Sequence, residues 1–294
     1  MSKTYVLTPG GYKPRGQVHH LPEGHVFKVR NGRAEVHHPE FGLRSILGAQ
    51  PMVESEVPLL PRSVQALPPD PLAPFRAVPE DLDLEAFPQV NGWVSYADWS
   101  APAASPISYF ETTWAVPPEP LSKETQTIFL FNGIQSSSMI LQPVLQWGPS
   151  AAGGGPHWSI ASWYADSQSG HSIYSSLVDV EVGMQLTGIM QLTGQSAAGC
   201  DYVCEFAGMP QTRLSVSGQP VLTWANETLE CYGISRRAHL PNAAGTDFDA
   251  VRMRCADNPA PVVWEVRSDH PESGSHASIL DGSPDHGQVR VTYG

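Results

Sequence analysis

Basic charge is scarce in this chain. Seventeen Lys and Arg face 29 Asp and Glu, a formal net charge of −12. A phosphate backbone is gripped by a basic face, so this balance excludes a nucleic-acid partner. Charge of either sign is thin as well, at 16% of residues, a level common in Ser-, Thr- and Gly-rich β proteins and low for a helical one. No apolar run is long enough to span a bilayer, and Met1–Gly10 has no apolar core of a secretory leader, so the sequence reads as neither membrane-bound nor signal-bearing. No segment sustains a helical period. Cysteine is limited to Cys200, Cys204, Cys231 and Cys255. The first two would lie about 13 Å apart on one strand, too far to bridge. One disulfide involving Cys231, or four free thiols, remain the alternatives. Ala151-Ala-Gly-Gly-Gly-Pro156 leads into no helix and carries no Lys-Ser/Thr, so it reads as a loop and not a phosphate cradle. There is no Gly-x-Ser-x-Gly elbow for a Ser-His triad around His157, His171 or His239.

What the chain does have is apolar substance, 41% hydrophobic residues, arranged in short alternating segments. These run 92–97, 107–116, 126–135, 139–147, 157–165, 172–180, 185–193, 202–206, 213–216, 221–232, 249–254, 262–267, 276–280 and 288–292, with Gly, Pro, Ser and Asp between them. So many antiparallel strands imply an all-β, two-sheet sandwich. All eight tryptophans fall at or after Trp93, offering aromatic surface for a core or a groove.

Charge divides the chain. Up to Pro88 there are nine basic and ten acidic residues; beyond it, eight and nineteen. The Pro-rich text Leu67-Pro-Pro-Asp-Pro-Leu-Ala-Pro-Phe75 precedes that point and reads as extended linker. The expected division is therefore residues 1–88, an N-terminal extension, and 89–294, the sandwich. Within the extension, His25–His37 alternates around Asn31-Gly32, a β-hairpin signal because a type I′ turn needs two residues tolerant of positive φ. That hairpin should pack on, or pair with an edge of, the main domain. His19, His20, His25, His37 and His38 cluster here as surface residues, as a pH-responsive contact or as a metal site that no Cys/Asp pattern completes.

Alternation assigns faces. On 139–147, Ile140, Gln142, Val144 and Gln146 share one side and Leu141, Leu145 and Trp147 the other; Pro143 calls for an edge or bulge. On 221–232, Trp224, Asn226, Thr228, Glu230 and Tyr232 share one side, and Glu227 points with Leu229 and Cys231 to the opposite one. Gln142 and Glu230 thus stand out as amide and carboxyl on aromatic-lined β surface. A desolvated glutamate can hold a water as general base and return the proton to a leaving amine, while a glutamine positions the water and stabilises the oxyanion. That chemistry requires no cofactor and no metal. Loss of one oxyanion donor, Gln142→Ala, would cost about 100- to 1000-fold in rate.

The succession Ile107-Ser-Tyr-Phe-Glu-Thr-Thr-Trp-Ala-Val-Pro117, Leu130-Phe-Asn-Gly-Ile-Gln135, Ile140-Leu-Gln142, Trp158-Ser-Ile-Ala-Ser-Trp-Tyr164, Val182-Gly-Met-Gln-Leu186 and Glu227-Thr-Leu-Glu230 resembles the eqolisin-type glutamic peptidases. The resemblance covers roughly Asn91 to Tyr232 and implies a concanavalin-like sandwich acting as an acid endopeptidase on polypeptide. By position it implies Gln142 and Glu230 as the catalytic pair, with Phe131, Gln135, Gln146, Trp158, Trp163, Trp224 and Tyr232 lining the substrate cleft. The chain departs from the family where Gln135 and Gln146 replace aspartates and Phe131 a tryptophan. Members are typically secreted, with a removable propeptide less acidic than the enzyme, so residues 1–88 are expected to cover the cleft and leave it at acid pH.

The other reading of the same face is a catalytically silent sandwich that binds peptide or glycan through its aromatics. A glycosidase is disfavoured because Glu227 and Glu230 alternate to opposite faces and cannot flank one bond. The chain is read as a monomer, and Asn226-Glu-Thr228 as a fortuitous glycosylation pattern.

Overall fold

The computed structural model describes residues 4–30, 33–47, 86–101, 105–167, 169–256 and 258–294. Asn31-Gly32 and the Pro-rich stretch 67–75 lie outside them. The extension contributes β1 (Tyr5–Thr8), β2 (Gly11–Pro14), β3 (Val18–His20), β4 (Val26–Arg30), β5 (Arg33–His38) and β6 (Gly42–Leu47). The long strands follow: β7 (Ala86–Ser100), β8 (Ile107–Ala115), β9 (Thr127–Gln135), β10 (Met139–Trp147) and β11 (Trp158–Asp166). Next come β12 (Ser172–Tyr174), β13 (Val178–Asp179), β14 (Gln185–Ser196), β15 (Gly199–Phe206), β16 (Met209–Gln219) and β17 (Trp224–Arg236). The chain closes with β18 (Gly245–Cys255), β19 (Asn258–Pro259), β20 (Glu265–Ser268), β21 (His276–Asp281) and β22 (Gly287–Thr292).

Two large sheets form a sandwich. The nine-stranded sheet has the order β20-β7-β17-β9-β10-β11-β12-β3, with β13 also on β11; the eleven-stranded one runs β21-β22-β18-β8-β14-β15-β16-β4-β5-β6, with β19 on β18. Pairing is antiparallel except where the extension joins, β3 on β12 and β4 on β16. The predicted hairpin is β4–β5, and it does extend a sheet edge. The position proposed as a boundary, Phe87-Pro88, lies inside β7.

Alternation builds the core. Leu141, Leu145 and Trp147 from β10, with Trp158, Ile160 and Tyr164 from β11, face Phe110, Trp114, Met190 and Phe206 of the other sheet. The strands β9, β10 and β11 are buried at every residue. Such a run requires cover on both faces, and a second apolar cluster lies on the outer face. There Phe129, Phe131, Ile140, Val144, Ala161, Trp163 and Tyr232 meet Val6, Leu7, Tyr12 and Val18 of the extension. Pro143, expected at an edge, sits in a central strand. The ladder to β9 passes from Leu141–Ile134 to Val144–Phe131 with no pair at Gln142 or Pro143, which accommodates the missing N–H. All four cysteines are free, so no disulfide staples the fold.

Candidate functional site

The outer face of the nine-stranded sheet carries the predicted polar residues, and strand register arranges them in rows. Glu230 of β17 is opposite Phe129 of β9, which is opposite Gln146 of β10, which is opposite Ser159 of β11. Four residues along, Asn226 is opposite Gly133; the same register puts Gln142 on the far side of Gly133, and Gln142 is opposite Trp163. Gln142 and Glu230 therefore share a face but stand two strands and four residues apart, about 16 Å between Cα positions. The expected shared-water dyad is not assembled. Gln142 lines up with Asn226, and between them Gly133 has no side chain; a Cβ there would come 3.0 Å from Asn226 Oδ1. Both Gln142 Oε1 and Asn226 Nδ2 are buried without a hydrogen-bond partner.

Glu230 is fully buried. Its Oε1 accepts the Gly10 backbone N–H at 2.8 Å and the Tyr232 hydroxyl at 2.5 Å, while Oε2 is unpartnered. Burial raises its pKa to about 7, against the two hydrogen bonds, which lower it. Tyr232 is itself pushed up by burial and by the Glu230 charge. The group donating to Glu230 belongs to the turn between β1 and β2. That turn needs Gly10 at φ 87°, a conformation costly for any side chain. The same segment is held at Leu7, whose carbonyl accepts the Ala151 N–H at 2.7 Å, and at Arg15, whose Nη1 donates to the Ala151 carbonyl at 3.1 Å. Tyr12 meets Tyr232 edge-on at 6.0 Å. Lys13 is half-buried, and burial, opposed by Asp166, lowers its pKa to about 8.

The Gly-rich loop flanks this face. Gln146 donates through Nε2 to the carbonyls of Gly148 (2.7 Å) and Gly153 (2.9 Å), leaving its own Oε1 unpartnered. Its amide thus anchors the loop. Phe131 packs edge-on against Trp93 at 5.8 Å, and Trp163 meets Tyr174 at a tilt with ring centres 5.0 Å apart. Gln135 is buried opposite Trp224. Trp158 corrects the expectation: it faces the inter-sheet core, edge-on to Trp147, and lines no cleft. Trp93, Phe129 and the β1–β2 turn belong to this face and were not singled out from the sequence; Asn226 was placed on it by alternation but given no role. Asn226 is fully buried, which closes it to glycosylation in this fold.

Glu227, on the opposite face of β17, is in the core. Thr112 Oγ1 donates to its Oε1 at 2.5 Å, its Oε2 is unpartnered, and burial raises its pKa well above the usual range, so it is a neutral acid. Its registered neighbour Asn132 donates to the Gly188 carbonyl of β14 at 3.2 Å, so the two sheets share a small polar contact there. Glu227 and Glu230 cannot act on one bond. Among the described residues, no group of three or more His, Cys, Asp or Glu could hold a metal ion.

No protein-family model and no curated protein matches the sequence. Solved structures that resemble the fold include scytalido-glutamic peptidase with a transition-state analogue inhibitor. It shows 14% identity and a TM-score of 0.45, over 70% of this chain and all of that one. SCP-B, a member of the eqolisin family of peptidases in complex with the tripeptide Ala-Ile-His, shows 13% identity and a TM-score of 0.43 over the same shares. The likeness to eqolisin-family peptidases is thus one of architecture, at low identity and over most of the chain, and no residue role above rests on it.

Proposed function

We propose that the outer face of the nine-stranded sheet is a cleft for extended polypeptide, covered in this structure by the chain's own residues Tyr5–Pro14. The observation that carries this reading is the way the segment is held. A main-chain N–H of Gly10 meets the buried Glu230 carboxyl and a main-chain carbonyl of Leu7 meets Ala151. Such contacts accept many sequences, while Trp93, Phe129, Phe131 and Tyr232 supply apolar and aromatic walls. Residues 1–88 then act as a cover.

The second reading, an acid-acting endopeptidase, draws on Glu230 itself. A carboxyl at about pKa 7 with one free oxygen is suited to take a proton from water and return it. The Gly10 nitrogen on Oε1 stands where a leaving amine would need that proton. Gln142 and Glu230 would have to be brought together by rearrangement for the two to act as one dyad.

Gly10→Pro separates cover from cleft, because proline supplies no N–H and cannot adopt φ 87°. A labelled peptide spanning residues 5–15 should bind this variant more tightly than the wild type; equal binding, or none to either, rejects the cleft. Incubation of both with denatured protein between about pH 2 and pH 7, beside Glu230→Gln, tests hydrolysis. Cleavage lost only in Glu230→Gln supports the peptidase, and inactivity of all three leaves the binder. Mass spectrometry showing an intact chain after prolonged incubation in acid would argue against removal of residues 1–88.

A further inference from the structure

Away from this cleft, a cavity of about 450 Å³ opens where the extension meets the sandwich, between β3, the β4–β6 strands and β12. Among the described residues its titratable lining is basic, Arg15, His19, His20, His25 and Arg44, with no Asp or Glu. That is unexpected in a chain of net charge −12.

The arginines sharpen the contrast. In the sandwich, Arg213, Arg236, Arg252, Arg254, Arg267 and Arg290 each lie within ion-pair distance of a carboxylate, and Arg237 donates twice to backbone carbonyls. Arg15 instead donates to a backbone carbonyl, and Arg44 rests 5.7 Å from the centre of the Phe41 ring. Neither has a carboxylate partner among the described residues, although the protein has acids to spare. Two guanidinium groups at one cavity, without a carboxylate partner among the described residues, are suited to an oxyanion, which they can meet through paired N–H donors. Apart from Ser45 the rest of the lining is apolar or aromatic, with Pro22 exposed, Leu47 and Tyr174 half-buried, and Leu21 and Ile173 fully buried behind them.

We propose that this cavity binds a small organic anion, its carboxylate or phosphate head set between Arg15 and Arg44 and its apolar body lying on Pro22, Leu47 and Tyr174.

The histidines tune the site. His19 contacts His171 at 3.3 Å, His20 contacts the Ser176 hydroxyl at 3.3 Å, and His25 contacts the Glu23 carbonyl at 3.2 Å. His38 packs on His25, Tyr174 lies against His20, and the acids nearby in sequence point elsewhere: Glu23 is exposed and Glu35 is tied to His37. Burial lowers His19, with His171 and Arg15 adding to it, and burial lowers His20. Both stay neutral near neutral pH and gain charge in acid, where an anion in the cavity would offset it.

The test is titration calorimetry on the full chain with phenyl phosphate, phenylacetate and inorganic phosphate, at about pH 5.5 and about pH 8. At least one aryl anion should bind, about tenfold more weakly at the higher pH and about tenfold more weakly again in Arg44→Gln. Arg44 is exposed, so the fold should survive the change. Ser45→Glu, which adds an acid to the lining, should weaken binding as well. Whichever aryl anion binds identifies the preferred head group. The proposal is overturned if no aryl anion binds, if Arg44→Gln and Ser45→Glu bind like the wild type, or if inorganic phosphate binds as tightly as phenyl phosphate.

Discussion

Glu230→Gln should reverse part of the protein's pH dependence of stability. The folded carboxyl has a pKa of about 7 against an ordinary 4.5, because burial disfavours its charged form. The native state thus binds this proton more tightly than the unfolded chain. Its contribution is fully present below 4.5, declines as pH rises through the 4.5–7 window, and is lost above. Two and a half pKa units correspond to roughly 3 kcal/mol. Glutamine keeps an acceptor for the Gly10 N–H and the Tyr232 hydroxyl, and its NH₂ replaces the O–H of the neutral acid at the unpartnered Oε2 position. Wild type and variant should therefore match near pH 4, and the variant should be the more stable by about 3 kcal/mol near pH 8. Urea unfolding across that range measures the difference, since other titrating groups are common to both proteins. Parallel pH profiles would refute the buried, neutral Glu230 on which the cleft is built.

Glu227→Gln should be close to neutral in acid and stabilising at higher pH, because Glu227 is held neutral in the core; Glu227→Ala should cost about 2–4 kcal/mol by leaving a cavity and the Thr112 hydroxyl without its acceptor. Urea unfolding distinguishes the two variants. Gly188→Ala would place a Cβ 2.5 Å from Asn132 Oδ1 and 2.6 Å from Pro143 Cγ, so a loss of about 1–3 kcal/mol is expected from overpacking between the sheets. Below about pH 6 the doubly substituted His19→Gln, His20→Gln chain should keep residues 4–20 better protected from hydrogen exchange than the wild type does, because the histidine contribution is removed and that of Glu230 is kept.

Strand positions were legible in the sequence because apolar alternation is local. The segment 139–147 matches β10 end to end, and Glu227 and Glu230 point to opposite faces as spacing requires. Trp158 was recoverable by the same rule: it lies five residues from Trp163, an odd interval, so one strand cannot turn both to the cleft. The Gln142–Glu230 separation was not recoverable that way. Alternation gives the face of a residue but not its row, which depends on how β10 and β17 each pair with β9. Residues 1–88 were expected as a cover, but which segment of them meets Glu230 was not legible, for a related reason. β1 and β2 are four residues each, too short to show a period, and their place on the sheet is set by contacts more than a hundred residues away.

The same linkage alters the expectation that acid opens the cleft. If the β1–β2 segment lifts, Glu230 regains water and its pKa falls toward 4.5, so protonation favours the covered state and acidification between 7 and 4.5 tightens it. Lys13 acts over a different range: burial lowers it to about 8, so covering loses favour as pH falls from 10.5 toward 8 and changes little below that. His19 and His20 are the groups with the opposite sign in the acid range, since covering favours their neutral forms and protonation works against it. Release in acid therefore depends on the two histidines outweighing one carboxyl. An anion that neutralises them in the adjoining cavity would hold the cover in place at the pH that otherwise loosens it.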